Sequence, residues 1–149
     1  TACRDMSESK TGALIVIRRE SDIHSIEEGG IAIDAKISVS LLKNIFFKNA
    51  PLHDGAVVIN GSRVVAAKCV LPSTQQPVPK SYGMRHRAAL GMSEVSDAII
   101  IAVSEETGAI SVAHDSVIKR NIDPQRLTQA IRQLMRINTQ RQSDNIEQQ

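Results

Sequence analysis

The run Pro51-Leu52-His53-Asp54-Gly55-Ala56 ends in a carboxylate followed by two of the smallest residues. At the entrance of a strand such a carboxylate stands where nothing bulky blocks a ligand, and the Gly55 backbone can approach a sugar or phosphate closely. His-Asp-Gly is also ordinary turn chemistry, so the local sequence supports a plain chain reversal as well. A second cluster, Gly83-Met84-Arg85-His86-Arg87-Ala88-Ala89-Leu90-Gly91, opens a helix directly after a proline-rich stretch. Two arginines in a first helical turn oppose the positive end of the helix dipole, and an anion there would offset them. Guanidinium groups grip phosphate oxygens in a bidentate fork that lysine cannot imitate, which makes a triphosphate the fitting anion. The plainer alternative is two solvated arginines with His86 packed beneath them. A third cluster, Ser104-Glu105-Glu106-Thr107-Gly108, sets two carboxylates at a turn between strands, a place where acids are most often merely solvated. His24 and His114 sit beside polar loops and show no comparable pattern.

The familiar phosphate and metal devices are missing: there is no Walker A loop, no GxGxxG, no HExxH and no paired CxxC. A nucleotide would have to be held by some other means. The net charge of +2 is too small for a nucleic-acid surface, although a local arginine cluster can still serve a smaller polyanion. Phe46, Phe47 and Tyr82 are the whole aromatic complement, which excludes a stacking platform for single strands and leaves the core to Ile, Val, Leu and Ala. Cys3 and Cys69 lie far apart, one in a polar leader and one in an apolar run, so reduced thiols are expected rather than a disulfide framework. A length of 149 residues with 42% hydrophobic content fits one domain, and no apolar run approaches the roughly 20 residues of a membrane span.

These clusters need elements to hold them. Residues 1–10 read as a polar leader, either mobile or docked as a short helix, with no visible chemistry. Ala13 to Ile17 reads as a buried strand between Gly12 and the charged Arg18-Arg19-Glu20. A helix is expected over Ser38 to Lys48, with Leu41, Leu42, Ile45 and Phe46 on one face and Ser38 or Ser40 as cap. The strands Ala56 to Ile59 and Arg63 to Val70 flank Asn60-Gly61, a strong hairpin signal. Three prolines place Pro72 to Gly83 in a loop, with a helix from Met84 to Val95 behind it. Ala98 to Val103 and Ala109 to Ala113 form another strand pair. Asp123-Pro124 starts a last helix, with Leu127, Ile131, Leu134 and Met135 sharing a face. From about Asn138 the Gln-rich sequence lacks an apolar stripe, so residues 138–149 are expected to be a disordered polar tail. The fold class is α/β, with α+β possible: a single domain whose central mixed sheet carries helices on both faces.

In this order, Gly12-Ala13-Leu14-Ile15-Val16-Ile17, Leu52-His53-Asp54-Gly55-Ala56, Val70-Leu71-Pro72, Arg85-His86-Arg87-Ala88-Ala89 and Val103-Ser104-Glu105-Glu106-Thr107-Gly108 resemble the diadenylate cyclase domain, particularly its membrane-linked bacterial form. The resemblance runs over nearly the whole chain and sets the catalytic domain at residues 11–137. It implies condensation of two ATP into cyclic di-AMP and two pyrophosphates by a face-to-face homodimer or a higher homo-oligomer. It also implies that Asp54, with Gly55 and Ala56, serves the ribose 3′-hydroxyl and a divalent metal, Mg²⁺ or Mn²⁺ with Co²⁺ as a further option, and that His53 can touch that metal. Arg85, His86 and Arg87 would bind phosphate, and Ser104 and Glu106 would close the phosphate and metal region. The Leu71 backbone would read adenine. Val70 stands where some relatives have a stacking aromatic and Met84 where many have Thr, so altered affinity rather than lost chemistry follows. The same resemblance implies a cytoplasmic domain of a membrane-anchored protein. With it come a membrane-anchored regulator and phosphoglucosamine mutase as protein partners, and no nucleic acid. The competing functions are an ATP-binding sensor or pseudoenzyme without turnover, and a docking module in which both motifs are plain loops.

Overall fold

Every residue of β1 (Ala13–Ile17) and β5 (Ile99–Val103) is apolar, the pattern of strands covered on both faces. The period of two then deals their side chains into two cores. Ala13, Ile15, Ile99, Ile101 and Val103 enter one, and Leu14, Val16, Ile100 and Ala102 the other. The computed structural model describes residues 1–136. It forms one seven-stranded sheet in the order β2-β4-β3-β1-β5-β6-β7. Its other strands are β2 (Ile31–Lys36), β3 (Ala56–Asn60), β4 (Arg63–Cys69), β6 (Ile110–His114) and β7 (Val117–Ile122). β1 and β3 run parallel and every other neighbouring pair is antiparallel, which makes the sheet mixed as expected.

Helices cover both faces. On one side lie α1 (Ala2–Glu8), α3 (Val39–Phe46) and α5 (127–136), which supply Met6, Leu42, Phe46 and Leu127 to the core. On the other lie α2 (His24–Glu28) and α4 (Met84–Val95), with Ile26, Ala89 and Met92 against the strands. Ser38 caps α3, its hydroxyl accepting from the Leu41 N–H at 3.0 Å. Asp123 accepts from the Gln125 N–H at 3.0 Å and starts a 3₁₀ turn, Pro124–Arg126, that leads into α5. The proline-rich loop is tied to α4, as the Thr74 N–H donates to the Arg87 carbonyl at 3.0 Å and the Thr74 hydroxyl donates to Glu94.

Of the two forms open to the leader, the structure shows the docked helix, with Met6 1% exposed and Ala2 and Cys3 buried beside it. Its Ser7 hydroxyl donates to the Gly108 carbonyl at 2.6 Å, tying α1 to the turn after β5. Other expectations need revision. β2, β7 and α2 were not foreseen. Both strands are sheet edges with mostly exposed residues, and β2 also breaks register between Ala32 and Ala35, so neither shows a clean alternation. α2 is five residues long with none buried, too short to display a period. β4 stops at Cys69, leaving Val70 outside the strand. Met135 is 42% exposed and does not share the buried face of Leu127, Ile131 and Leu134. The expected polar tail at 138–149 lies outside the described residues.

Candidate functional site

The three clusters converge at one end of the sheet, where β1 and β3 begin and β5 ends. Gly55 holds φ at +86°, a left-handed backbone, and a β-carbon there would stand 2.8 Å from the Cys69 carbonyl oxygen. Only glycine satisfies both conditions. This turn delivers Ala56, fully buried, to β3, and leaves Asp54 beside it with a side chain 77% exposed. Asp54, Gly55 and Val70 line a cavity of about 380 Å³ together with Gly29, Gly30, Ile31 and Lys68. Val70 is 78% exposed there, whereas the Leu71 side chain is buried in the α4-side core.

A second cavity, of about 530 Å³, is lined by Lys10, Lys48, His53, Arg85, Glu105 and Glu106 among others. Arg85 projects from the first turn of α4 to Gly12, the residue before β1. A methyl group at Gly12 would overlap its guanidinium, and the arginine would have to swing aside to make room. Glu105 approaches the Arg85 Nη1 at 3.7 Å from the opposite rim. His53 links the two cavities. Its Nδ1 lies 2.7 Å from the Ala50 carbonyl and its Nε2 lies 3.2 Å from the Asp54 Oδ1.

The three residues of the Arg-His-Arg run part company, because successive positions on a helix point about 100° apart. Arg85 faces the cavity, His86 turns inward at 6% exposure, and Arg87 is exposed and does not line the cavity. The His86 Nδ1 accepts the Gly83 N–H at 3.3 Å, which caps the start of α4. Its Nε2 is buried without a protein partner among the described residues. Burial, reinforced by the nearby Arg120 charge, lowers its pKa and keeps the ring neutral. Ser104 shapes its turn: the hydroxyl accepts the Glu106 and Thr107 N–H groups, each at 3.2 Å, which presents Glu106 to the cavity.

The sequence clusters do not include Lys10, Lys48 or the Gly29-Gly30 side of the Asp54 cavity, and Gly12 stands out in the sequence as a strand boundary and the first residue of a family motif, with nothing to show that Arg85 lies over it. Gly29-Gly30 was a visible turn signal, but nothing local ties it to Asp54, because that adjacency arises from the pairing of β2 with β4. Among the described residues no three His, Cys, Asp or Glu side chains are grouped as a metal site. No helix among them is long and apolar enough to cross a membrane.

Residues 1–118 match the DAC family, described as DisA bacterial checkpoint controller nucleotide-binding. The chain is 42% identical over 141 residues to the cyclic di-AMP synthase CdaA of Bacillus subtilis, covering 94% of this chain and 52% of that protein. It therefore spans about half the length of this curated relative. A crystal structure of a double mutant of DacA from Staphylococcus aureus superposes with a TM-score of 0.81 at 48% identity, covering 82% of each chain. A hypothetical membrane spanning protein from Bacillus cereus superposes with a TM-score of 0.79 at 40% identity, covering 82% of this chain and 60% of that one. With the matched segment running through every residue of both cavities, the chain belongs to the DAC nucleotide-binding family.

Proposed function

We propose that this domain condenses two ATP molecules into cyclic di-AMP with release of two pyrophosphates, and that it does so as a face-to-face homodimer. The observation that carries this reading is a cationic cavity around Arg85 adjoining a cavity with the exposed Asp54 carboxylate, joined through His53, in a chain 42% identical to a cyclic di-AMP synthase. In each step the 3′-oxygen of one ATP bonds to the α-phosphorus of the other. The bond from that phosphorus to the bridging oxygen of the pyrophosphate breaks, and the hydroxyl proton leaves by way of Asp54. The two linkages of the product are identical, so a twofold pair of protomers presents each sugar to the opposite phosphate and replaces a diffusive encounter with a held geometry. Arg85 offers its fork to the departing phosphates. The adenine lies on the Val70–Leu71 side, at the end of β4.

His53 Nε2 and Asp54 Oδ1, 3.2 Å apart, would supply two protein donors to a divalent cation, which would need substrate or water oxygens to complete its shell. When bound, Mg²⁺, Mn²⁺ or Co²⁺ neutralises charge developing on the phosphates. The full-length protein is taken as membrane-anchored with this domain in the cytoplasm, a reading supported by the membrane spanning protein that shares its fold. A membrane-anchored regulator and phosphoglucosamine mutase are the protein partners that go with it. Incubation with ATP and Mn²⁺ at several protein concentrations, followed by chromatography, tests the whole proposal. Cyclic di-AMP should form with a rate that rises more steeply than protein concentration. ATP binding without product at any concentration would make the domain a nucleotide sensor instead.

A further inference from the structure

The Arg85 cavity holds two cations that neither the sequence motifs nor the proposed chemistry has used. Lys10 enters from the end of α1 and Lys48 from the segment after α3, and both line the cavity along with Thr11, Gly12 and Phe46. Both are exposed, and none of the ion pairs among the described residues engages either. The acids of the same cavity stand on the turn after β5: Glu105, 3.7 Å from Arg85, and Glu106. Three cations thus line the cavity with two carboxylates, and two of the cations have no ion-pair partner among the described residues.

The backbone supports the same site. Lys10 has φ of 52° and the cavity residue Asn49, next to Lys48, has φ of 68°. A left-handed conformation costs a residue such as lysine about 1–2 kcal/mol, so the fold holds Lys10 in a shape it does not prefer, whereas asparagine adopts that shape readily. The Ser7 hydroxyl bond to Gly108 fixes the end of α1 against the turn bearing the two glutamates, so the opposing walls are braced together.

We infer that Lys10 and Lys48 form a subsite for the terminal phosphates of the nucleotide, the part that departs as pyrophosphate. This rests on the proposed cyclase reading and deepens it. The two lysines share a cavity with Arg85 but not with Asp54, Gly55 or Val70, which line the adjoining one. A nucleotide with its sugar at Asp54 and its phosphates passing His53 to Arg85 therefore ends between the lysines. Pyrophosphate has no base or sugar to hold it elsewhere, so it isolates the contribution of this end.

The test is calorimetric titration of the chain with inorganic pyrophosphate and, separately, with AMP. Lys10→Asn removes the charge while keeping a residue that tolerates the left-handed backbone, and Lys48→Gln removes the other charge with little change in length. Each lysine contributes charge-assisted hydrogen bonds, so each variant should weaken pyrophosphate binding by about tenfold or more while AMP binding holds. Unchanged pyrophosphate affinity in the double variant, or no pyrophosphate binding by the unaltered chain, would overturn the subsite. So would a parallel loss of AMP affinity in Lys48→Gln with its melting temperature preserved. Failure to make cyclic di-AMP would count against the cyclase reading alone, since neither titration depends on turnover.

Discussion

Asp54 and Arg85 sit in contrasting surroundings, and the contrast separates the effects expected of their loss. Asp54 is exposed beside His53, where the proposed reading has it take a proton and help hold the cation. Asp54→Asn should lower cyclic di-AMP formation by about 100-fold or more, the usual scale for a lost proton-transfer group, with ATP affinity measured by calorimetry without divalent metal little altered. Arg85 lines the cavity proposed for the phosphates, so Arg85→Ala should weaken ATP binding by about tenfold or more in the same titration, whereas Arg87→Ala should weaken it far less. His86 predicts a pH effect. Its folded pKa lies below the ordinary histidine value, so its contribution to stability is complete above about pH 6.5 and is lost as the pH falls from there toward the folded value. Protonation also removes the acceptor that caps α4. Thermal melts at pH 7.5 and pH 5.5 should show a smaller drop for His86→Gln, whose amide can accept the same bond without titrating. An equal drop in the two proteins would remove His86 from the account.

The interior elements were legible in the sequence and the edges were not. β1 and β5 are apolar throughout, β3 is apolar up to Asn60, β6 is mostly apolar, α3 and α4 have clear starts, and Asn60-Gly61 announces its hairpin. β2 and β7 exist because neighbouring strands offer open edges, a tertiary cause that leaves little trace in IAIDAK or VIKRNI. The cavity residues follow the same rule. Asp54 and Arg85 announced themselves through their neighbours in sequence, but Gly12, Lys10 and Lys48 reach the site only once α1 and α3 dock on the sheet. The docking of α1 has its own test. Met6 is 1% exposed, so Met6→Ala should cost about 2–5 kcal/mol in denaturant unfolding, while a mobile leader would register almost nothing.

At the scale of the whole molecule, both thiols belong to the packed interior. Cys3 is raised above the ordinary thiol range by burial, and Cys69 is pushed up to about 11 by burial and then by the charge of Glu27. Iodoacetamide at pH 8 should therefore label Cys69 only at the rate at which the fold opens globally, and labelling in step with exposed thiols would refute the closed core. Packing also makes distant positions answer to one another. Where the Arg85 guanidinium lies over Gly12, a methyl group and an arginine compete for one volume. Because the guanidinium ends a flexible side chain, Gly12→Ala should be accommodated by a swing of Arg85 rather than by loss of the fold. Its mark should be a melting temperature close to that of the unaltered chain together with a lower ATP affinity, and bulkier residues at 12 should lower that affinity further.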